Sequence, residues 1–248
     1  MTVSTSKLVK KVTVAVLLTS VVGVFNLPAR ASTPSPAKFE YNPPERGIPK
    51  TTQGTGSRGC PSSETLSEPV TVTLLVPKDH TGQTISGHPT FLWHVSRQTS
   101  IPIEFALVEP GIAKPLFVQR MQVEKGGIMQ LELPAYLPQL ETGRKYRWSV
   151  SLLCNSNRPS SNVFVQSWIE RVAAKPELTQ QLTNEKSQLE RAKIYGAAGL
   201  WYDALAAIST AYNENPSDRI ISQARLSLFE QAGLTQVAAS EPQPLASN

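Results

Sequence analysis

Residues 54–59, GTGSRG, match the G-x-G-x-x-G pattern in which backbone N–H groups cradle a phosphate. Their surroundings deny them that role: no strand-like run precedes them, no amphipathic helix follows, and Cys60-Pro61 ends the stretch. The glycines instead suit a turn-rich arm that needs positive φ and close backbone approach. The same arm carries Arg46, Lys50 and Arg58, cations able to grip an anionic glycan or a partner's carboxylates, with Glu40 and Glu45 near enough to neutralise them.

Other chemistry-bearing residues are sparse. A catalytic zinc needs three ligands around an open position, and of His80, His88 and His94 only the last two could converge, with no third ligand evident. The patterns G-x-S-x-G, H-E-x-x-H and C-x-x-C are absent. Glu104, Glu109, Glu132 and Glu170 lie on or beside strand-like runs, where a carboxylate ordinarily faces solvent. An acidic pair for glycoside chemistry leaves no mark in sequence, so a hydrolase of that kind stays open as an alternative. No catalytic, cofactor or metal-binding residue is therefore assigned, and the expected mode of action is recognition.

The segments that position these residues begin with a targeting signal. Lys7, Lys10 and Lys11 precede an apolar run over residues 12–25, and Ala29-Arg30-Ala31 supplies the small-x-small cleavage pattern. Residues 1–31 are thus expected to be a signal peptide, with the mature chain starting at Ser32. The run is shorter than the roughly 18 residues a spanning helix needs, so no stable membrane insertion is expected after cleavage. Export to the periplasm or the cell exterior follows. Removing the signal lowers the formal net charge from +5 to +1, which leaves no basic field for nucleic acid. In an oxidising compartment the two cysteines, Cys60 and Cys154, are expected to pair. Residues 32–67 form a Pro/Gly/Ser-rich arm, of which residues 32–38 read as a disordered tether.

Residues 68–174 switch to short runs rich in Val, Ile, Thr and aromatics. Seven strands are predicted, over residues 70–76, 90–95, 103–108, 115–123, 128–133, 145–154 and 162–172. In KYRWSVSLLC, Tyr146, Trp148, Val150, Leu152 and Cys154 share one face, and Phe91, Trp93 and Val95 alternate likewise, making Trp93 and Trp148 expected core partners. In NVFVQSWIERV, inward Val163, Val165 and Ile169 would turn Phe164 and Trp168 outward into an apolar patch. The helices that follow are expected to cover it through Leu200, Trp201 and Tyr202; a saccharide platform is the alternative. Candidate ligand or partner contacts are accordingly Arg46, Lys50, Arg58, Trp168, Trp201 and Tyr202.

The segment LETGRKYRW resembles the tyrosine-corner entry to the penultimate strand of fibronectin type III and immunoglobulin-like domains, with Gly143 reversing the chain and the Tyr146 hydroxyl bonding a nearby backbone group. After Pro176 the apolar period becomes helical, giving a helical part over residues 175–236 and a disordered tail over residues 237–248. There Ala192, Tyr195, Gly199, Asp203, Ala204, Ala211 and Pro216 fall at the spacing of one tetratricopeptide repeat, departing from it at Gln188, Arg191 and Ile208. The expected fold is mainly β: an immunoglobulin-like or fibronectin-like sandwich followed by a tetratricopeptide-like hairpin.

Taken together, RGIPKTTQGTGSRGC, PTFLWHV, YRWSVSLLC, NVFVQSWIERV and GLWYDALAAI resemble an uncharacterised family of exported cyanobacterial proteins, domain-of-unknown-function family 928. The resemblance implies export and one architecture, and brings no activity, ligand or catalytic residue. The expected function is a non-catalytic adaptor of the cell envelope whose partner is an envelope protein or glycan. A carbohydrate-binding module using exposed aromatics is the first alternative and an envelope hydrolase the second.

Overall fold

A strand that alternates apolar and polar side chains buries one face and needs a second layer to cover it. In the computed structural model of the chain, which describes residues 1–2, 39–44, 60, 69–155 and 159–240, that layer is a second sheet. Apart from residues 1–2, the described residues belong to one compact unit, Pro36–Asn248. Eight strands come first: β1 (Val72–Leu74), β2 (Gly82–Thr84), β3 (Thr90–Val95), β4 (Thr99–Val108), β5 (Phe117–Val123), β6 (Gly127–Glu132), β7 (Lys145–Leu152) and β8 (Val163–Arg171). Five helices follow: α1 (Pro176–Asn184), α2 (Gln188–Ala197), α3 (Trp201–Glu214), α4 (Arg219–Gln231) and α5 (Thr235–Ser240).

The small sheet has the order β1-β3-β6 and the large one β2-β8-β7-β4-β5. Pairing is antiparallel except where β2 joins β8 in parallel, Gly82 opposite Ile169. Side chains of both sheets meet in an aromatic core. β7 buries Tyr146, Trp148, Val150 and Leu152, as its alternation predicts. Trp93 and Trp148 are both fully buried and meet through Phe105, whose ring centroid lies 6.1 Å from Trp93 and 5.9 Å from Trp148. The corner entering β7 also forms as expected: Gly143 adopts φ 81° and the buried Tyr146 ring accepts the Glu141 N–H on its hydroxyl at 2.8 Å. At the other end of β7, Cys60 and Cys154 are joined with their Cα atoms 5.2 Å apart, closing a separation of 94 residues. By the chain-entropy argument such a loop is worth at most about 4–5 kcal/mol.

Three features depart from the expected strands, one being that β4 begins at Thr99 rather than at residue 103. The first strand is shorter, β1 covering Val72–Leu74 alone, and β2 was not foreseen. Three residues, GQT, hold no apolar pattern; β2 is fixed by its neighbours. A Cβ at Gly82 would come within 2.8 Å of the Tyr202 ring, so the glycine is what lets α3 approach this strand.

The helices also dock elsewhere than expected. They do not cover the outer face of β8. Leu92, which points away from the core that Phe91 and Trp93 enter, is only 1% exposed and shares a cleft with Ser209, Tyr212 and Arg225 of α3 and α4. The helical layer therefore lies over the small sheet. From α3, Tyr202 reaches in between the sheets, its ring 5.9 Å from Phe91 and 6.4 Å from Trp148. Its hydroxyl accepts the Trp148 Nε1–H at 2.8 Å and donates to the Trp168 carbonyl at 3.1 Å. Trp201, also fully buried, donates Nε1–H to the Leu75 carbonyl at 2.9 Å. An aromatic with a polar tip is buried only where the tip finds a partner. The margin between the sheets supplies those partners, whereas an outer sheet face presents side chains alone.

Within the helical layer, α2 and α3 form a hairpin reversed at Gly199, φ 77°, with Ala192 and Ala204 fully buried. Asp218 caps α4 by accepting the N–H groups of Ile220 and Ile221. α5 runs through residue 240 and buries Val237 and Ala238, so the tail expected from residue 237 begins no earlier than 241; residues 241–248 lie outside the described ones. Residues 39–44 strap this layer from the N-terminal side. The Asn42 N–H donates to the Gly196 carbonyl at 3.0 Å, and the Tyr41 N–H donates to Gln231 Oε1 at 2.9 Å. Gln231 Nε2–H returns a bond to the Phe39 carbonyl at 2.9 Å.

Candidate functional site

Because successive side chains of a strand alternate, the register of the large sheet dictates which residues share its outer face, which no described helix covers. Trp168 stands opposite Arg147, and Arg147 opposite Val108. The next row is Gln166, Ser149, Ala106 and Val118; the one after it is Phe164, Ser151, Glu104 and Arg120. Trp168 is half-buried and Phe164 is 43% exposed. They are four positions apart on β8, about 13 Å at roughly 3.3 Å per residue. Between the two rings on β8 lies Gln166, with Ser149 opposite it on β7. Its charges are mostly paired: Arg120 with Glu104 at 2.8 Å, and Lys145 with Glu170 at 4.0 Å. The Arg147 side chain is exposed and has no ion pair or hydrogen bond among the described residues.

A second concave region, a cleft of about 380 Å³, opens between the α2–α3 hairpin and the turn after β2. Asp203, in the first turn of α3, forms part of its wall. Its Oδ2 accepts the Ile85 N–H at 3.1 Å, with the Thr84 hydroxyl and the Ser86 N–H as further donors. Burial outweighs those bonds and pushes the carboxyl up to about 6. Glu132, Glu185 and Lys186 also line the cleft, and several of its other polar groups hold the walls together. Arg191 donates to the Leu182 and Glu185 carbonyls at 2.9 and 3.3 Å and to the Tyr195 hydroxyl at 3.1 Å, and His88 Nε2 lies 2.9 Å from the Leu137 carbonyl. Asp203 bonds the chain that follows β2, so it ties that turn to α3; its partners include no histidine and no second carboxylate.

A third group has the outline of a proton relay. The Tyr41 hydroxyl lies 2.6 Å from His80 Nε2, and His80 Nδ1 lies 2.7 Å from Asp79 Oδ1. Tyr41 is 6% exposed, wedged 5.6 Å from the His80 ring and 5.2 Å from Trp201. Burial pushes its pKa up, so the hydroxyl keeps its proton. A buried, protonated phenol cannot reach a substrate, and its geometry serves to seat residues 39–44.

Of the residues singled out from sequence, Cys60 and Cys154 pair, while Arg46, Lys50 and Arg58 lie outside the described residues. Trp201 and Tyr202 are not surface contacts: both are buried in the joint between sheets and helices. Trp168 and Phe164 do lie together on the outer face of β8, uncovered by the helices. The three histidines are dispersed, His94 Nε2 lying 3.3 Å from the Ser240 hydroxyl. Among the described residues no group of three His, Cys, Asp or Glu is placed to hold a metal ion, and no helix is long and apolar enough to cross a membrane. Arg147 was not singled out, because its place beside Trp168 depends on the β7–β8 register; Asp203 was noted for its helical spacing, not as a buried carboxylate.

No curated protein matches the chain. A family model described as Domain of Unknown Function (DUF928) matches residues 53–242.

Proposed function

We propose that this chain, which belongs to the DUF928 family, is an exported, non-catalytic binding module of the cell envelope that recognises its partner on the outer face of its five-stranded sheet. One observation carries this reading. The helices spend Trp201 and Tyr202 on an internal joint and cover the small sheet, and no described helix covers the outer face of the large sheet, where Phe164 is 43% exposed and Trp168, four positions along the same strand, is half-buried. One exposed and one partly exposed aromatic on the same sheet face, with no described helix over them, support a place of contact. The strand orders β1-β3-β6 and β2-β8-β7-β4-β5, with Tyr146 at the corner entering β7, support an immunoglobulin-like sandwich. Buried Ala192 and Ala204 between α2 and α3 support kinship with a tetratricopeptide-like hairpin. Residues 1–31 support export, and their removal places the start of the mature chain at Ser32.

The partner is an envelope protein or glycan. The test is capture of native envelope material by the mature chain and by its Trp168→Ala variant. Loss of the captured component, with the denaturant midpoint of the variant close to the parent's, is the expected result. Retention of the full complement by the variant would remove this face from the function. A hydrolase acting in the cleft beside Asp203 is the second reading, favoured by the raised pKa of that carboxyl alone; turnover of an envelope polymer that Asp203→Asn abolishes would establish it.

A further inference from the structure

We infer that the ligand of this face is a polysaccharide of pyranose rings carrying carboxylates, with one ring stacked on Trp168 and its carboxylate held by the fork of Arg147. The inference rests on the binding reading above. Cross-strand register puts the Trp168 and Arg147 side chains next to each other on the same face. An indole offers its plane to the C–H face of a sugar ring, and a guanidinium offers two parallel N–H donors to a carboxylate. The two groups thus match the two chemical faces of a uronic acid.

Charge on the face points the same way. Arg120 and Lys145 are matched by Glu104 and Glu170, which leaves Arg147 as the cation of this face without a counter-ion among the described residues. A neutral glycan would leave Arg147 unmatched. A protein partner is disfavoured by the ground between the rings. The buried core of a protein interface is enriched in apolar and aromatic side chains, whereas here Gln166, with Ser149 opposite it, separates Trp168 from Phe164. That strip of hydroxyl and amide side chains suits a ligand bearing hydroxyls along its length, with Phe164 receiving a second ring further along the strand.

The experiment titrates the mature chain, by calorimetry and tryptophan fluorescence, with hexagalacturonic acid and with cellohexaose as the neutral probe of equal length. The acidic oligomer should bind and the neutral one should bind at least about tenfold more weakly, the range expected for loss of a charge-assisted hydrogen bond. Arg147→Gln should weaken the acidic oligomer by about the same factor and leave the neutral one unchanged, and Trp168→Ala should weaken both. Far-UV circular dichroism and urea midpoints of both variants show whether they fold as the parent does. Equal affinity for the two probes, or an Arg147→Gln variant that binds the acid as well as the parent, would overturn the carboxylate assignment. Loss of acid binding in an Arg46→Gln/Lys50→Gln/Arg58→Gln variant instead would also overturn it, moving the acid to the arm. If neither oligomer binds but an envelope protein is captured through Trp168, the glycan inference fails while the binding face stands. If no captured component depends on Trp168, the binding face itself fails.

Discussion

Replacing Tyr202 by Phe removes a single oxygen from the joint between sheets and helices and leaves its ring in place. The oxygen accepts the Trp148 Nε1–H at 2.8 Å and donates to the Trp168 carbonyl at 3.1 Å, and both Trp148 and Tyr202 are fully buried. Without it, the indole N–H is stranded away from water at a cost of about 1–3 kcal/mol, and the bond to the carbonyl forfeits a further ~0.5–1.5 kcal/mol. The apolar contacts with Phe91 and Trp148 persist, so no cavity contribution enters. The expected loss is therefore roughly 2–4 kcal/mol, read as a lower urea midpoint at unchanged slope for the mature chain with its disulfide intact. A Trp148→Phe variant and the double variant complete a cycle in which the two substitutions should cost less together than the sum of each alone. A midpoint equal to the parent's, or strictly additive losses, would show that the hydroxyl does not tether α3 to the strands.

Asp203 makes stability depend on pH in an unusual direction. Its carboxyl is pushed up to about 6 in the folded chain, so the folded state holds the proton more tightly than the unfolded one; its contribution is largest below about pH 4, falls as pH rises through about 6, and is flat beyond. The unfolding free energy from urea titrations across that window should fall by at most about 3 kcal/mol more for the parent than for Asp203→Asn; equal slopes would contradict the burial argument. Gly196→Ala places a Cβ 2.7 Å from the Glu40 carbonyl and 3.0 Å from the Phe39 ring, and hydrogen exchange should show residues 39–44 losing protection while the β7 amides keep theirs. Protection unchanged over residues 39–44 would mean that the strap accommodates the methyl. Mass spectrometry of the exported chain should find Ser32 at its N-terminus, and an intact residue 12–25 segment would overturn the signal-peptide assignment.

How much could be read from sequence depended on whether an element is held by its own pattern or by its neighbours. β7 was legible because KYRWSVSL alternates cleanly and its partners on both sides respect that alternation. β3 carried a warning that alternation alone passes over. Phe91, Leu92 and Trp93 are consecutive apolar residues, a sign of a strand covered on both faces, and Leu92 is where the helices sit. Phe164 and Trp168 do face outward on β8, but the helices lie elsewhere, because a repeat spacing tells which helix face is apolar and not which sheet will receive it. The destination was chosen by the polar tips of Trp201 and Tyr202, which needed the Leu75 carbonyl and the Trp148 indole N–H. β2 escaped because its stability comes from Ile169, Glu170 and Arg171 across the ladder and from the space Gly82 leaves for Tyr202. Arg147 escaped for a related reason: being next to Trp168 is a property of two strands in register, and neither strand states it alone.

The strap at residues 39–44 has a consequence for the order in which the chain can finish folding. Ribosomes deliver a protein from its N-terminus, so Tyr41 emerges long before its partner Gln231, 190 positions later. Asn42 likewise waits for Gly196. The earliest of these described segments to be synthesised is thus among the last to be locked, and loop closure over such a span is slow. In the finished protein the relation runs backward as well: a deletion behind residue 230 would be felt at Tyr41, because the beginning and the end of this fold are a single clasp.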